Sequence, residues 1–475
     1  YINGELRECI NGSTIDVWNP SEGIVYDKVT SSSSDDLLEA VSSGEKAFPI
    51  WSKMSNEKRS QILCKIADLI DLKCEDLAKA ESVDNGKPLK LAKEMDIPRA
   101  SANIRFFAHA ATQFASESHH MQETDTINYT LRKPIGIVGC ISPWNLPLYL
   151  FTWKIAPALA AGNCVIAKPS EVTPMTAYLF SKICIEAGLP PGVLNVLHGY
   201  GHEVGNAIVS HPKIKAISFT GSTKIGKEIA SKASPLLKKI SLELGGKNAI
   251  VIFDDCNYEM MLTTVLRSAF VNQGQICLCG SRIYIQDTIY ERFKRDFINA
   301  TNELIVGNPL EPNTNLGAIV SKVHFEKILN HIEIAKNEGG RILTGGNKKI
   351  IPNFENGWYI EPTIIEDLPL NCKTNQEEIF GPVVTIAPFK NDEEAIELNN
   401  GTEYGLTCSI WTSNINRAHN LANQFETGLV WINTWLNRDL RTPFGGVKNS
   451  GVGREGGFEA MRFFTEPKNI CIKYQ

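Results

Sequence analysis

The stretch Ile135-Gly-Ile-Val-Gly-Cys-Ile141 begins a regular alternation of short apolar runs and segments with helical spacing. Further apolar runs follow at 164–167, 193–197 and 214–219, and the helix-like segments span 149–161, 174–187, 202–209 and 223–233. Thr173 followed by Pro174 marks one helix start, with the Thr173 hydroxyl as the expected cap. Parallel strands need a crossover between them, usually a helix, so this alternation predicts a doubly wound parallel sheet.

A second alternation follows further along the chain. Its apolar runs lie at 249–253, 281–286 and 430–433, with helical segments at 262–270 and from 290 onward. The same reasoning predicts a second α/β domain. The fold class is therefore α/β, with two doubly wound, Rossmann-like domains.

Two kinds of segment flank these alternations. Residues 36–111 repeat their apolar residues at helical spacing and predict a helical leading section. Residues 127–131 and 470–474 instead alternate apolar and polar side chains, which is typical of half-exposed strands.

Composition excludes several classes of protein. With 43% hydrophobic and 21% charged residues, the 475-residue chain is globular, and no low-complexity tract interrupts it. The net charge is −5 with both signs interspersed, so no basic face predicts a nucleic-acid partner. Its apolar runs fall far short of the ~20 residues that span a bilayer, so we expect a soluble protein without a membrane partner.

The cysteines indicate a reducing compartment. All 12 are scattered between Cys9 and Cys471 without a CxxC pair, in a chain too long to need disulfides. We therefore expect reduced thiols and a cytoplasmic protein. The residues after Tyr1 do not resemble a signal peptide, and a cleaved segment upstream stays an open alternative.

One cysteine has the surroundings of a nucleophile. Cys277 follows an apolar helical segment in a polar, glycine-bearing stretch, which predicts an accessible thiol. The alternative is a buried inert cysteine. A metal site at Cys277 and Cys279 is not expected, because two ligands do not fill a tetrahedral site, and no metal is predicted elsewhere.

Two further polar residues lie in unusual surroundings. Glu243 lies among apolar residues, where burial would raise its pKa toward the range of a general base, although it could also be a helix-end or ion-paired carboxylate. Asn145 lies between Pro143 and Pro147 in a stiff turn, which suits an amide that donates in a fixed direction. The alternative is an Asn that satisfies the turn's own backbone.

A strand-to-helix turn at Phe219-Thr-Gly-Ser-Thr-Lys-Ile-Gly226 is the expected place for an anion, because its free backbone N–H groups face outward. The turn is nearly a P-loop, but Glu228 stands where that motif needs Ser or Thr, which disfavours NTP hydrolysis. Gly201 and Gly205 belong to a second, weaker glycine-rich match.

Together these motifs resemble the aldehyde dehydrogenase superfamily along essentially the whole chain. The motifs that carry the resemblance are Pro143-Trp-Asn145, Lys168-Pro-Ser-Glu171, the Phe219–Gly226 turn, Glu243-Leu-Gly-Gly, Gly274-Gln-Ile-Cys277, Glu378-Ile-Phe-Gly-Pro and Pro443-Phe-Gly-Gly. The resemblance implies that Cys277 attacks an aldehyde, that Asn145 and the Cys277 N–H hold the oxyanion, and that Glu243 activates the hydrolytic water.

The resemblance also implies NAD as cofactor. The implied contacts are Ser142, Trp144, Lys168, Ser170, Glu171, Gly201, Gly205, Phe219, Gly221, Ser222, Leu244, Glu378 and Phe380. Glu171 would repel a 2′-phosphate, which favours NAD over NADP.

In such proteins the cofactor domain would comprise residues 1–117 and 134–246, and the catalytic domain residues 247–445. Residues 118–133 and 446–475 would form a small β oligomerisation flap, so the resemblance implies a homodimer or homotetramer.

Arginines near the nucleophile predict the substrate class. The resemblance places Arg105, Arg438, Trp153 and Leu146 at the substrate, and a guanidinium there would grip a carboxylate. It implies oxidation of 2-aminomuconate 6-semialdehyde in tryptophan breakdown, or of its 2-hydroxy counterpart. A generic aliphatic, retinal or betaine aldehyde enzyme is a further alternative. Arg441 is left open, because it could steer the anion or pair with Asp439.

Overall fold

The structure, a computed structural model, describes residues 1–474. Its helices in chain order are α1 (Ser34–Trp51), α2 (Asn56–Leu72), α3 (Cys74–Asn85), α4 (Leu89–Leu91), α5 (Ile97–Ala110), α6 (Pro147–Ala160), α7 (Met175–Ala187), α8 (Asn206–Ser210), α9 (Thr223–Ala233), α10 (Tyr258–Phe270), α11 (Asp287–Asn302), α12 (Lys322–Asn337), α13 (Lys373–Gln376), α14 (Asp392–Asn400), α15 (Ile415–Gln424) and α16 (Gly457–Phe463).

The strands form three main sheets and three two-stranded pairs. In chain order they are β1 (Thr14–Asn19), β2 (Ile24–Thr30), β3 (Ser118–Met121), β4 (Thr126–Pro134), β5 (Ile137–Ile141), β6 (Cys164–Lys168), β7 (Leu194–Val196), β8 (Ile214–Thr220), β9 (Lys239–Glu243), β10 (Asn248–Ile252), β11 (Gly280–Gln286), β12 (Arg341–Thr344), β13 (Lys348–Lys349), β14 (Tyr359–Ile360), β15 (Thr363–Glu366), β16 (Val383–Phe389), β17 (Tyr404–Gly405), β18 (Thr407–Trp411), β19 (Leu429–Ile432), β20 (Val447–Lys448), β21 (Gly451–Val452) and β22 (Thr465–Lys473).

The first main sheet has the strand order β21-β9-β8-β5-β6-β7. All its neighbours are parallel except β21, which pairs antiparallel with β9. Strands β5 and β6 are buried along their whole length, which explains their continuous apolar sequence. The doubly wound parallel sheet predicted from residues 135–233 is confirmed.

The second main sheet has the order β12-β15-β16-β11-β10-β18-β19. Its central strands are parallel, and only β12 runs antiparallel to its neighbour. The runs predicted at 249–253, 281–286 and 430–433 become β10, β11 and β19. The α/β class with two such sheets is therefore confirmed.

The third sheet is antiparallel, with the order β22-β4-β3. Strand β22 pairs with β4 from Thr465↔Pro134 to Lys473↔Thr126. The alternating segments 127–131 and 470–473 lie side by side in it. Residues 446–464, which precede β22, lie outside this sheet and include β21, paired with β9 in the first sheet.

The leading section is helical from Ser34, where Ser33 and Asp36 form a reciprocal capping box. It is preceded by the β1–β2 hairpin, which the sequence analysis did not predict. The cap predicted at Thr173 is wrong: α7 begins at Met175 without a side-chain cap, and the Thr173 hydroxyl donates to the Trp144 carbonyl oxygen at 3.2 Å. None of the helices within residues 1–474 is long and apolar enough to cross a membrane.

Candidate active site

The loop that carries Cys277 has an unusual backbone. Asn272, Gln273 and Gly274 have φ angles of 54°, 56° and 68°, so three consecutive residues are left-handed. A Cβ at Gly274 would lie 2.1 Å from the Gly381 carbonyl oxygen, so this backbone approach needs glycine. The loop brings Cys277 between α10 and β11, against the segment that contains Glu378 and Phe380.

Cys277 is half-buried and lies where two cavities meet. We call the first the open cleft; it is lined by Pro143, Trp144, Asn145, Thr220, Gly221, Ser222, Leu244, Gly245, Cys277, His324, Lys327, Glu378 and Phe380. The second, the aromatic cavity, is lined by Met95, Leu146, Tyr149, Leu150, Trp153, Thr220, Glu243, Ile276, Cys277, Leu278, Leu436, Arg438, Phe444 and Glu455. The thiol thus lies between the open cleft, whose lining includes Lys327 and Glu378, and the more apolar aromatic cavity.

The turn after β8 forms one wall of the open cleft. Ser222 is the N-cap of α9, and its Oγ accepts from the Ile225 N–H at 3.4 Å. A Cβ at Gly221 would lie 2.4 Å from the Phe219 ring, so the predicted residue Phe219 lies beneath the turn and does not line the cleft. The first-turn N–H groups of α9 and the absence of side chain at Gly221 suit an anion.

A second group of predicted cofactor residues lies around Lys168, outside the lining of the open cleft. The Lys168 ammonium is 2.9 Å from the Glu171 carboxylate, which also accepts from the Gly201 N–H at 3.4 Å. Gly205 packs on the Lys168 stem, since a Cβ there would meet Lys168 Cδ at 3.5 Å. Although burial opposes the effect, the Lys168 ammonium lowers the pKa of the Glu171 carboxyl, so Glu171 is charged at neutral pH.

Ser142 and Ser170, both buried, lie near this group. The Ser142 N–H donates to the Lys168 carbonyl oxygen at 3.1 Å, while Ser142 Oγ is buried without a partner in the described chain. Ser170 Oγ accepts from the Val172 N–H at 3.2 Å.

The opposite wall of the open cleft comes from the loop before β16 and from helix α12. Glu378 accepts from the Gly246 N–H at 2.9 Å, and burial raises the pKa of its carboxyl to about 6. The Phe380 ring stands perpendicular to Trp144, with centroids 5.2 Å apart. Sequence reasoning missed two polar residues here, His324 and Lys327, because they lie on the amphipathic helix α12, which carries no motif.

Arg438 is the cation of the aromatic cavity. Its guanidinium lies over the Phe444 ring at 3.8 Å and near the Trp153 ring at 5.0 Å. Its Nη1 donates to the Tyr149 hydroxyl at 3.1 Å, and Arg438 forms no ion pair with a carboxylate of residues 1–474. Leu146 and Trp153, also predicted at the substrate, line the same cavity.

The prediction that Arg105 contacts the substrate is wrong. Arg105 does not line the aromatic cavity; it is ion-paired on the surface with Asp68 and Asp71 of α2, each at 2.6 Å. Arg99, one and two-thirds turns earlier on α5, lies over the Tyr149 ring at 5.7 Å instead. Arg441, whose role was left open, is exposed and paired with Asp439 through its Nε at 2.9 Å.

Glu243 is the carboxylate of the aromatic cavity. It ends β9, is 4% exposed, and neither of its oxygens has a hydrogen-bond partner within residues 1–474. Burial, together with the nearby Glu455 carboxylate, raises the pKa of Glu243 well above its ordinary value of 4.5. Glu455 is itself held by the Lys154 ammonium at 2.8 Å and by Ser218 Oγ at 3.1 Å. A carboxyl whose pKa is raised in this way binds a proton more readily than an exposed glutamate does, as a general base requires.

Asn145 lies on the other side of the thiol. It is 3% exposed, and its Nδ2 donates to the Gln275 carbonyl oxygen at 3.0 Å, which fixes the amide plane and leaves its second N–H free for another acceptor. Burial, then the carboxylates of Glu378 and Glu243, raises the pKa of the Cys277 thiol, so the resting thiol is neutral. The structure therefore brings together the predicted thiol, carboxylate and amide around one point.

Comparisons with known proteins agree with this arrangement. The model of the aldehyde dehydrogenase family matches residues 9–470. The chain is 47% identical to the 2-aminomuconic semialdehyde dehydrogenase of Mus musculus, over 100% of this chain and 98% of that protein. It is 42% identical to the 2-hydroxymuconic semialdehyde dehydrogenase of Pseudomonas sp. (strain CF600), over 100% and 99%.

A solved structure of an aldehyde dehydrogenase has the same fold as this chain. The NAD⁺ complex of an aldehyde dehydrogenase from Bacillus cereus superposes with a TM-score of 0.97 at 37% identity, covering 100% of this chain and 96% of the other. The sequence motifs, the fold, the arrangement of the site and the similar proteins all indicate the same family. The chain belongs to the aldehyde dehydrogenase family.

Proposed function

We propose that the protein oxidises 2-aminomuconate 6-semialdehyde to 2-aminomuconate with NAD as hydride acceptor. The observation that carries this proposal is the position of Cys277 where a polar cleft meets an apolar cavity that holds Arg438 and the protonatable Glu243. Relatives named for 2-aminomuconic and 2-hydroxymuconic semialdehydes support this substrate class. The second candidate is the 2-hydroxy substrate, which presents the same carboxylate.

In the proposed reaction, the Cys277 thiol gives up its proton to solvent water, and its sulfur attacks the aldehyde carbon. Asn145 Nδ2 and the Cys277 N–H donate to the oxygen on which charge develops. Bound NAD would supply the hydride acceptor, and loss of hydride from that carbon would leave a thioester on Cys277. Glu243 then takes a proton from a water that attacks the thioester, and the acid leaves as the thiol reforms.

The open cleft fits a dinucleotide. Its α9 N-terminus carries no side chain at Gly221, and the buried Ser142 Oγ nearby lacks a partner. Ser222 would hold the pyrophosphate, Glu378 the nicotinamide ribose, and Lys168 with Glu171 the adenosine ribose, with Ser170, Gly201, Gly205 and Leu244 around them. The negative charge on Glu171 disfavours a 2′-phosphate, which supports NAD over NADP.

We propose that Arg438 binds the substrate carboxylate, with Arg99 as a second cation beyond Tyr149. Arg438 is partly buried and makes no ion pair within residues 1–474, so a substrate carboxylate could bind its guanidinium through two parallel hydrogen bonds. The aromatic rings around it exclude water, which strengthens the pairing.

Substituting Arg438 tests this assignment. Arg438→Ala should raise the activation free energy that governs kcat/KM by ~2–5 kcal/mol for a muconate semialdehyde, the value typical of one partner lost from a buried charge pair. The increase should be much smaller for an uncharged aldehyde of similar length. NADH formation is the measurement, and Arg105→Ala is the matched control that should keep the native preference. Equal losses for both aldehydes would reject the carboxylate role.

We further propose the domain division and assembly implied by the family. Residues 1–117 and 134–246 would form the cofactor domain, residues 247–445 the catalytic domain, and residues 118–133 with the end of 446–475 the flap. One face of the third sheet carries Ile127, Tyr129, Leu131, Ile470 and Ile472, and Leu131 and Ile472 are 38% and 46% exposed. This apolar face supports a homodimer or homotetramer.

A cytoplasmic location is also proposed. All 12 cysteines are free thiols in the structure, which is what a reducing compartment maintains.

A further inference from the structure

A cluster of charged side chains lies beneath the Asn145 turn, outside both cavities. Lys87, Glu81 and Asp96 are each 0% exposed. The Lys87 ammonium contacts the Asp96 carboxylate and lies 3.4 Å from Glu81 Oε1. None of the three takes part in the proposed reaction, and removing three charged groups from water needs a compensating arrangement.

The cluster compensates its own charge. Burial, only partly offset by the Lys87 ammonium, raises the pKa of Glu81 well above its ordinary value, which favours its uncharged form. The Lys87 ammonium contacts the Asp96 carboxylate, and its three donors are directed at three oxygens, one each on Asp96, Glu81 and the Asn145 main chain.

The third of those oxygens belongs to the active site. Lys87 Nζ donates to the main-chain carbonyl oxygen of Asn145 at 3.1 Å. Asn272 Nδ2 donates to the same oxygen from the other side at 3.0 Å. Glu81 Oε2 also accepts from the Leu148 N–H at 3.2 Å, so the cluster holds the turn at two main-chain groups.

The same contacts connect Asn145 to the nucleophile loop. Asn272 Nδ2 also lies 3.2 Å from the Gln275 carbonyl oxygen, which accepts from Asn145 Nδ2 at 3.0 Å. Asn145 and the loop carrying Cys277 are therefore fixed relative to one another by buried hydrogen bonds. A shift of the Asn145 carbonyl would rotate its side-chain amide away from the developing oxyanion.

We propose that Lys87 is a positioning residue: its ammonium holds the Asn145 main chain so that the side-chain amide points at the oxygen of the bound aldehyde. The proposal rests on the proposed role of Asn145 as oxyanion donor. It assigns a function to a buried ion cluster that neither touches the substrate nor lines either cavity.

A double-mutant cycle tests it. The variant Lys87→Met/Asp96→Asn removes the ammonium and its counter-charge together, which avoids a lone buried carboxylate. We expect the single-turnover rate of NADH formation to fall 10- to 100-fold, with NAD affinity unchanged in a fluorescence titration. Losing one oxyanion donor typically lowers the rate about 10²–10³-fold. The NADH formed by Asn145→Ala can therefore still be measured when the reaction is followed for longer. In the Asn145→Ala background, adding Lys87→Met/Asp96→Asn should lower the single-turnover rate less than threefold.

Controls separate positioning from folding. Lys238→Met, which removes another buried lysine that donates only to the His211 carbonyl oxygen, should leave the rate unchanged. If the double variant does not fold, Asn272→Gly, which tolerates the left-handed backbone, removes the opposite donor and should give the same non-additive pattern.

The same rate loss in both backgrounds would overturn the proposal, because Lys87 would then act independently of Asn145. A native rate in the folded double variant would also overturn it. Failure of the proposed function gives different results: the native protein would form no NADH with the semialdehyde, or Asn145→Ala alone would leave the rate unchanged.

Discussion

Glu243 differs from an ordinary glutamate in that its environment favours the protonated form. It is buried, its oxygens lack partners, and Glu455 adds a second negative charge nearby. A general base acts only when it is deprotonated. Because the pKa of Glu243 is raised, thioester hydrolysis should be lost at a higher pH than it would be with an exposed glutamate as the base. Thioester hydrolysis should therefore rise with pH through that raised pKa and fall below it.

Substituting Glu243 should separate the two halves of the reaction. In Glu243→Gln the burst of NADH should persist, because hydride transfer precedes the step that needs the base, whereas steady-state turnover should fall by about 10²–10⁴-fold. Stopped-flow absorbance over a pH series measures both phases. A variant that loses burst and turnover equally would place Glu243 in the first half-reaction instead.

The two arginines of α5 show what residue-level sequence reasoning could and could not provide. Arg105 and Arg99 are six positions apart, so their side chains point about 120° apart around the helix axis. The sequence gives no sign of which side faces the cavity, because Asp68 and Asp71 pair with Arg105 only through packing of α2 on α5. Cys277, Glu243 and Asn145, by contrast, lie in local motifs that could be read directly.

At the scale of elements, the left-handed run before Cys277 is the part of the site most sensitive to backbone change. Gly274→Ala should lower the free energy of unfolding by about 1–3 kcal/mol, since a Cβ would both strain φ 68° and meet the Gly381 carbonyl oxygen. It should also slow the NADH burst, because Cys277 follows three residues later. Chemical denaturation and stopped-flow kinetics measure the two effects.

Gly339→Ala is the matched control. Gly339 has φ 93° and no atom within 4 Å of the Cβ position, so only the backbone strain is added there. Similar losses of stability in the two variants, with a normal burst in Gly274→Ala, would show that the close approach to Gly381 is unimportant.

Helices and strands were predicted best where a single local sequence pattern determines them. The buried parallel strands and the intervening helices follow from apolar runs and helical spacing. The β1–β2 hairpin was missed although Asn19, Pro20 and Gly23 are turn residues, because most of β2 is exposed and shows no alternation of buried side chains. Its register also shifts between Val17 and Trp18. Lys87, His324 and Lys327 reach the site through tertiary packing, which no local pattern contains.

At the scale of the whole molecule, the apolar face of the third sheet predicts assembly. Leu131→Glu/Ile472→Glu should yield a smaller species in sedimentation velocity, because buried carboxylates would oppose association. Both side chains are exposed in the single chain, so its own unfolding free energy should change little. Leu72→Glu, on an apolar side chain that is 78% exposed elsewhere, should leave the sedimentation coefficient native. A native coefficient in the double variant would contradict assembly through this face.

The position of the reacting thiol between the two main sheets has a genetic consequence. Asn145 follows β5, Glu243 ends β9 and Cys277 precedes β11, so each centre draws on both sheets of one chain. Missense alleles that inactivate should therefore be scattered along the gene, since a loss of 1–2 kcal/mol in either sheet is typically enough to lower abundance several-fold. Two such alleles, each damaging a different sheet, should not complement one another, because no mixed assembly rebuilds a centre from two defective chains.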